Sequence, residues 1–588
     1  MTITRRGAMA ASLALAGASG VRAAEAAASS PAPRTAAGSW AIPQRPPAEF
    51  TVGAPGAGTR DYTAALAALN AYARAELDQI GLPGMTIAVT DADGFTAVLP
   101  LGWADVAARR PVRAADYFQI GSISKSFIAL TILALADQGR IDLAAPVARY
   151  LPDAPLPHEP ITIKELLSHA SGLPDGAPIF PRTPDARLWC GYAPGSRFSY
   201  SNTGFQLLGR VIERVAGEPH QTVADRLVRQ KLGLGAVAGV ISQARRAAFA
   251  VGYWPWNRVD GHILPGGRLE SATFDEEDNP AGSIGASAGE MAIYLQALMR
   301  FARGQGGPVL SDASARRFAT PVIAAEEFGA GARYALGIAV QPVDGVDCLH
   351  HTGGMMSFAS SFHADPVNGV ACFASVNAML DDELYRPRQV TRYAVQLMRA
   401  VRAGAPLPAA PDALSRWRVK DPAAWAGVFH AGPRQIALGA TSNGLSLETD
   451  GRAAVALGHG EGRLITDHPA LAGHGLEAVR ESGHITGLWW GETLFSRDPA
   501  AQPPTSPPAL RALAGVYLNR DPWVGSAVIL ARGPQLVAEG AGPLADRGGY
   551  WTLAEDPGGV ERFRFEAPLN GRPQRLNVSG SDLLRITV

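Results

Sequence analysis

The stretch from Phe118 to Gly139 limits the folds open to this chain more than any other. Its second half (Phe127, Ile128, Leu130, Ile132, Leu133, Leu135 and Ala136) is apolar on nearly every side, so the helix it forms belongs in an interior. Asp137, Gln138 and Gly139 close that helix, with the glycine just past its end. The first half, Phe118-Gln-Ile-Gly-Ser-Ile-Ser-Lys125, sets Ser122 and Lys125 three residues apart at the helix start, on one face. An ammonium one turn away and the unsatisfied N–H groups of a helix start both favour an alkoxide or oxyanion at the serine. A capping serine followed by a surface lysine is the better reading of Ser-x-x-Lys taken alone, and only partners elsewhere in the chain reverse it.

At 588 residues the chain is too long for one ordinary core, and two to four domains are expected. A hydrophobic fraction of 47% with 18% charged residues describes a soluble globular protein, and a formal net charge of zero gives no whole-chain footprint for nucleic acid or an anionic membrane. Cys190, Cys348 and Cys372 are odd in number and widely spaced. They form neither a disulfide framework nor a metal-ligand pattern, so each reads as a small buried hydrophobe and no cofactor or metal is implied.

Residues 1–23 depart from this globular character. Thr4-Arg5-Arg6 precedes an alanine-rich apolar run from Ala8 to Ala16, and Val21-Arg22-Ala23 supplies a cleavage site. This is a secretory signal peptide, and its paired arginines suggest the twin-arginine route, with Sec export left open. The run is too short to span a bilayer. The mature protein is therefore expected in the periplasm or secreted, with no stable membrane span.

Residues 24–58, rich in Ala, Pro, Gly and Ser, read as a flexible leader. Its Gly53-Ala-Pro-Gly-Ala-Gly58 run lacks both a preceding strand and a Lys-Ser/Thr, so it is no phosphate loop. From 59 to 403 the pattern is that of one domain. Apolar residues at 62, 66, 69, 72, 77 and 80 mark an amphipathic helix, and Met85–Val89 and Phe95–Leu99 flank Asp91-Ala-Asp-Gly94 as a hairpin. Helix, hairpin, then helix implies an α+β fold, an antiparallel sheet packed against helices. A short helix is expected within 141–152. A helix ending at Leu166-Leu-Ser-His-Ala-Ser-Gly-Leu-Pro174 has a Gly-x-Pro stop, so His169 reads as a structural histidine at a helix end rather than a catalytic base.

Residues 175–192 are Pro-rich and irregular, suited to a loop over a site. Tyr200-Ser-Asn202 then leads into a helix with Phe205, Leu207, Leu208, Val211, Ile212 and Val215 on its apolar face. Tyr253, Trp254 and Trp256, in the irregular section 252–280, suit either a substrate cleft or core packing. Gly285-Ala-Ser287-Ala-Gly289 fits the nucleophile elbow of α/β-hydrolases. Ser287 also opens Ser-Ala-Gly-Glu290 ahead of a helical run, and that capping box is the better reading. Ala335–Ala378 reads as strands, with His351-Thr-Gly-Gly354 where glycines let a substrate backbone approach a strand edge.

Pro and Ala at 404–412 mark a boundary. Beyond it Trp425-Ala-Gly-Val-Phe429 and Leu513-Ala-Gly-Val-Tyr517 look like two copies of one opening strand, separated by Pro503-Pro-Thr-Ser-Pro-Pro508. Residues 413–500 and 509–588 are therefore expected to form two small antiparallel β-barrel-like domains.

Ser122-x-x-Lys125, Tyr200-x-Asn202 and His351-Thr-Gly353 follow one another within the 59–403 domain. Each pattern alone is weak, and two of them recur: Tyr517-Leu-Asn519 and His430-Ala-Gly432 also occur. Their order and setting carry the signal. With Ile120–Phe127, Leu166–Pro174, Pro194–Gly209 and His351–Gly354, the chain from about 60 to 400 resembles the serine β-lactamase and penicillin-binding-protein superfamily, in particular class C β-lactamases, family VIII esterases and D-aminopeptidases. The paired C-terminal β units are similar to those of D-aminopeptidase-like members.

The resemblance implies Ser122 as nucleophile and Lys125 as its hydrogen-bonded partner. It implies Tyr200 as general base, Asn202, His351, Thr352 and Gly353 as substrate-binding residues, and the backbone N–H groups of Ser122 and Gly354 as the oxyanion hole. It also implies an exported acyl-enzyme hydrolase of small amides or esters, with D-amino-acid peptides to be tried first. The alternatives are a promiscuous carboxylesterase with weak β-lactamase activity and a non-catalytic sensor of peptidoglycan or β-lactams. The partner is then a small molecule or short peptide, and a homodimer is compatible with the sequence. β-Lactamases usually carry lysine where His351 stands, and a histidine is mostly neutral at pH 7, which favours an aminopeptidase or esterase.

Overall fold

The computed structural model describes residues 42–53, 60–235, 237–255, 268–378, 386–413, 418–441, 444–458, 462–521, 524–556 and 558–586. The expected signal peptide, most of the expected leader and Trp256 lie outside the described residues.

A ten-stranded antiparallel sheet organises the first domain. Its principal strands are β1 (Thr51–Val52), β2 (Gly84–Asp91), β3 (Thr96–Asp105), β4 (Ala339–Val343), β5 (Val346–Met355), β6 (Phe358–Asp365) and β7 (Val370–Val376). They lie in the order β1-β3-β2-β7-β6-β5-β4, so the N-terminal hairpin joins the C-terminal meander through the β2–β7 pair. Strand alternation sends Ile87 and Val89 to one face and Ala88 to the other, and β7 repeats this with Cys372 and Ala374 opposite Ala371 and Phe373. Helices cover both faces. α1 (Thr63–Ile80) and α5 (Arg386–Ala403) pack on the first through Leu69, Tyr72, Leu77, Tyr393 and Leu397. α2 (Ser124–Asp137), α3 (Asn202–Ala216) and α4 (Ala288–Ala302) pack on the second.

The all-round apolarity of α2 has the expected consequence: Ser124 through Leu135 are all buried. Each fully buried Leu, Ile or Phe there contributes about 1.5–3 kcal/mol relative to exposure. Phe127 stacks on Tyr294 of α4 with ring centroids 4.0 Å apart, and Ser126 shares a 2.6 Å hydroxyl bond with Tyr294. Gly139, with φ +69°, ends the helix.

Several local expectations change. Residues 42–53 are not a free leader: Trp103 Nε1 donates to Pro43 O at 3.2 Å, Asn70 donates to Ala48 O at 3.0 Å, and β1 pairs with β3. Proline-rich chain without a period hides this, because its order comes from side chains of the domain it lies on. The short helix expected within 141–152 is a 3₁₀ turn, Val147–Arg149. The helix before His169 stops at Leu167 without the Gly-x-Pro signal, and His169 itself takes a left-handed φ of +54°. Tyr253 is fully buried, and its hydroxyl accepts from Val106 N at 2.7 Å, so it belongs to the core.

The C-terminal units are two closed eight-stranded antiparallel barrels. Their opening strands, Gly427–Ala431 and Gly515–Leu518, share one device. Each begins with a glycine at positive φ, 142° and 154°, lying against an arginine from the end of the barrel. Arg497 donates to Ala424 O at 3.0 Å and Ala426 O at 2.8 Å, and Arg585 donates to Ala512 O at 3.0 Å and to Ala514 O. The repeated Ala-Gly-Val thus marks where an arginine ties the last strand to the first.

Between the sheet and α5, His350 and His363 stack with centroids 4.2 Å apart. His350 Nδ1 donates to Phe362 O at 2.7 Å, while His363 bonds Gln341 Oε1 at 3.1 Å and Thr391 Oγ1 at 2.8 Å. Burial, then the charge of His350 and of nearby arginines, holds His363 well below the usual histidine range. A depressed folded-state pKa contributes stability above the unfolded value and loses it as pH falls. Thermal unfolding compared near pH 7.5 and near pH 5 should therefore show a drop in Tm for the wild type that is smaller in His363→Gln.

Candidate functional site

The 3₁₀ turn Gly121–Ile123 carries Ser122 to the start of α2. The turn is braced from behind: Ile120 N donates to Ile284 O at 3.0 Å, Ile284 N donates to Ser124 Oγ at 3.1 Å, and Phe118–Gln119 pairs with Gly285–Ala286. Lys125, one turn on, is wholly buried. Its ammonium donates to Ser122 Oγ at 3.0 Å, Asn202 Oδ1 at 2.6 Å and Ala281 O at 2.8 Å, acceptors supplied by three separate segments. It also lies 4.9 Å from the centre of the Tyr200 ring. The first two sequence triplets therefore meet at one ammonium.

The third triplet closes on the same turn. Strand β5 continues beyond His350, the last residue paired with β4 in that direction, so His351–Met355 projects past the neighbouring strand. A Cβ on Gly353 would stand 1.8 Å from Ile120 O, and one on Gly121 would stand 2.8 Å from Gly354 N. The glycine at 353 thus permits the strand to touch the serine turn, a different need from the approach of a substrate backbone. The contact brings the Ser122 and Gly354 backbones together. Ser122, Asn202 and Gly354 keep partial exposure, whereas Lys125, Tyr200, His351, Thr352 and Gly353 are buried.

An aromatic box surrounds the buried members. The His169 ring lies 4.2 Å from that of Tyr200, and Phe328 lies 5.2 Å from His351 and 6.3 Å from Tyr200. His169 Nδ1 accepts from Ser201 N at 3.0 Å, which fixes the Tyr200–Asn202 turn. The histidine read as structural is structural, but for the site itself. His351 Nδ1 donates to Thr352 O, so Nε2 accepts from the Tyr334 hydroxyl at 2.9 Å. The His351 side chain holds its strand in place, its ring enclosed between Tyr334 and Phe328.

Other contributors had little or no sequence signal. Asp175 Oδ1 accepts from Asn202 N and Nδ2, both at 2.9 Å, leaving Asn202 Oδ1 turned to Lys125. The Ala281 carbonyl is a backbone group that no motif reveals. Ser287 takes no part: it caps α4, accepting from Glu290 N at 3.4 Å, although the two-residue strand Gly285–Ala286 does precede it as an elbow requires. Tyr517 and His430, from the chance triplets, lie in the barrels. Among the described residues no group of three His, Cys, Asp or Glu is placed to hold a metal ion. Burial raises the Cys190 and Cys348 thiols to about 12.

The arrangement is that of a serine beside a buried cation, with two backbone segments meeting where an oxyanion could sit. The β-lactamase family model matches residues 69–395, over half the chain and all three triplets. Esterase EstB of Burkholderia gladioli is 31% identical over 240 residues, 34% of this chain and 60% of that protein. Penicillin-binding protein 4* of Bacillus subtilis is 33% identical over 132 residues, 20% of this chain and 29% of that protein. The chain thus spans 60% or less of the length of these curated relatives. In fold, the octameric penicillin-binding protein homologue from Pyrococcus abyssi matches with a TM-score of 0.50 at 20% identity, over 73% of this chain and 98% of that one. The chain belongs to the β-lactamase family, within the serine β-lactamase and penicillin-binding-protein superfamily.

Proposed function

We propose that the protein is a serine hydrolase that works through an acyl-enzyme on Ser122. The observation that carries this reading is the 3.0 Å bond from the buried Lys125 ammonium to the half-exposed Ser122 hydroxyl. A serine hydroxyl is a weak nucleophile without an adjacent base. Tyr200, as phenolate, takes the serine proton as Oγ bonds to the acyl carbon, and an ammonium close by favours the deprotonated form of a phenol. The tetrahedral oxyanion is received by the N–H groups of Ser122 and Gly354, where one missing donor costs on the order of 10²–10³ in rate. Tyr200 then returns the proton to the departing amine or alcohol, and water reverses the sequence to free the acid. Asn202, half-exposed beside Lys125, meets the substrate's amide, while Thr352 and Gly353 shape the strand beside it.

The substrate class follows from what the strand lacks. His351 is turned inward, so a carboxylate on the substrate meets no cation from β5. This supports small amides or esters whose recognition does not rest on a carboxylate. Peptides and amides with a D-amino acid on the acyl side come first, on the similarity of the paired barrels to D-aminopeptidase-like members. Likeness to esterase EstB favours a carboxylesterase as the second reading. A non-catalytic sensor has no use for a base held beside the serine. The basic, alanine-rich start of the chain supports action in the periplasm or outside the cell.

Intact mass after a fluorophosphonate should show one adduct on the wild type and on Ser287→Ala, and none on Ser122→Ala. An adduct lost only with Ser287→Ala would overturn the assignment. Lys125→Ala and Tyr200→Phe should each slow acylation by about 10²–10⁴-fold in a folded protein. Ser287→Ala should cost only about 1 kcal/mol of stability. Among chromogenic substrates, D-alanine p-nitroanilide should turn over faster than its L-isomer. Ester turnover without either anilide would establish the esterase reading, and a stable adduct without turnover the sensor.

A further inference from the structure

The second barrel touches the catalytic domain on the loop that leads to Asn202. The connection between its strands Trp551–Leu553 and Phe563–Leu569 lies against residues 171–192. Trp189 Nε1 donates to Val560 O at 2.8 Å, the Arg562 guanidinium sits 4.8 Å over the Trp189 ring, and a Cβ on Gly191 would stand 2.8 Å from Val560 Cα. A second hairpin reaches the same loop, where Asn577 Nδ2 donates to Arg182 O at 3.0 Å. This is a fitted joint with hydrogen bonds and a buried tryptophan, and it rests on the segment that precedes the Tyr200–Asn202 turn.

One contact in the joint points into the site. Glu561 Oε1 accepts from the backbone N–H of Asp175 at 2.9 Å, and its Oε2 accepts from the Ser579 hydroxyl of the same barrel. Asp175 in turn receives Asn202 N and Nδ2 on one carboxylate oxygen, and its carbonyl accepts from Thr203 N at 2.9 Å. Asn202 Oδ1 accepts from Lys125, and Lys125 donates to Ser122. Each link fixes the orientation of the next. With its amide N–H committed to Asp175, Asn202 must turn its carbonyl oxygen to the ammonium.

We propose that Glu561 is a positioning residue: by fixing Asp175 it sets Asn202 and Lys125 against the nucleophile, so the second barrel completes the active site. The proposal rests on the Ser122 hydrolase reading.

The test uses the full-length chain and the rate at which a fluorophosphonate labels Ser122, followed by intact mass, which needs no knowledge of the natural substrate. Glu561→Ala should slow labelling on the order of 10-fold to 10²-fold, since small displacements of a catalytic group have that effect. Glu561→Asp, one methylene too short to bridge Ser579 and Asp175 but conservative enough to fold, should also be slow. Glu561→Gln keeps a carbonyl acceptor for Asp175 N–H and should label within about threefold of wild type, a rescue expected only where one hydrogen bond, not barrel stability, sets the rate. The double variant Asp175→Ala/Glu561→Ala should be no slower than Asp175→Ala alone. Wild-type labelling rates in both Glu561→Ala and Glu561→Asp, or losses that multiply in the double variant, would overturn the proposal. Failure to label the wild type at all would instead overturn the hydrolase reading, and the positioning role with it.

Discussion

The site depends on a buried ammonium. Removing a lysine side chain from water costs several kcal/mol unless its N–H groups find acceptors, and Lys125 is wholly buried. Its acceptors come from the 3₁₀ turn, the start of α3 and the loop before α4, three places far apart in sequence. Bringing them within 3.0 Å of one nitrogen ties the helical layer together at the point where α2 begins. The same bonds leave Ser122 Oγ half-exposed with a cation at its back. On the proposed reading, what satisfies the lysine also poises the serine, so stability and reactivity draw on one set of contacts.

The sheet supplies the other side of the opening. β5 outruns β4, and the overhang carries His351 to Gly354 past the edge of its neighbour and onto the serine turn. Only a residue without a side chain at 353 allows that approach. The demand is geometric: backbone must meet backbone if two N–H groups are to face one oxygen. The box of His169, Phe198, Tyr200, Phe328, Tyr334 and His351 then holds strand, turn and helix start in fixed relation. Such packing is what keeps donors oriented before a charge develops, the property on which electrostatic catalysis rests.

Much of this was legible in the sequence because it is local. A helix apolar all round has to be buried, and Ser122 with Lys125 stands where that helix begins. Antiparallel order followed from hairpin and helix periods, and the repeated Ala-Gly-Val marked two like barrels. The three triplets pointed to one site through their order. What escaped was long-range or carried by backbone. Asp175 follows a proline in an irregular loop, and nothing near it signals that it orients Asn202. Ala281 offers a carbonyl, which any residue could. His169 lost its place to a stop signal that the helix does not use, since the chain turns at His169 itself. Residues 42–53 looked free because their order is imposed by Asn70 and Trp103, not by their own period.

The histidine at 351 decides what the strand offers to the opening. A lysine there could carry a permanent charge toward the opening. The imidazole is instead enclosed, with Nδ1 on the Thr352 carbonyl and Nε2 receiving the Tyr334 hydroxyl. Protonation would turn Nε2 into a donor to that hydroxyl oxygen, which can accept it, but the new charge would sit among aromatic rings and away from water. On the proposed reading, this strand offers its backbone rather than a charge to the substrate. Recognition is left to shape, to neutral hydrogen bonds around Asn202 and Gly354, and to the loops that the second barrel holds. On the proposed reading, a site built this way chooses its acyl group by fit, and the barrel that anchors Asp175 becomes part of what is being fitted.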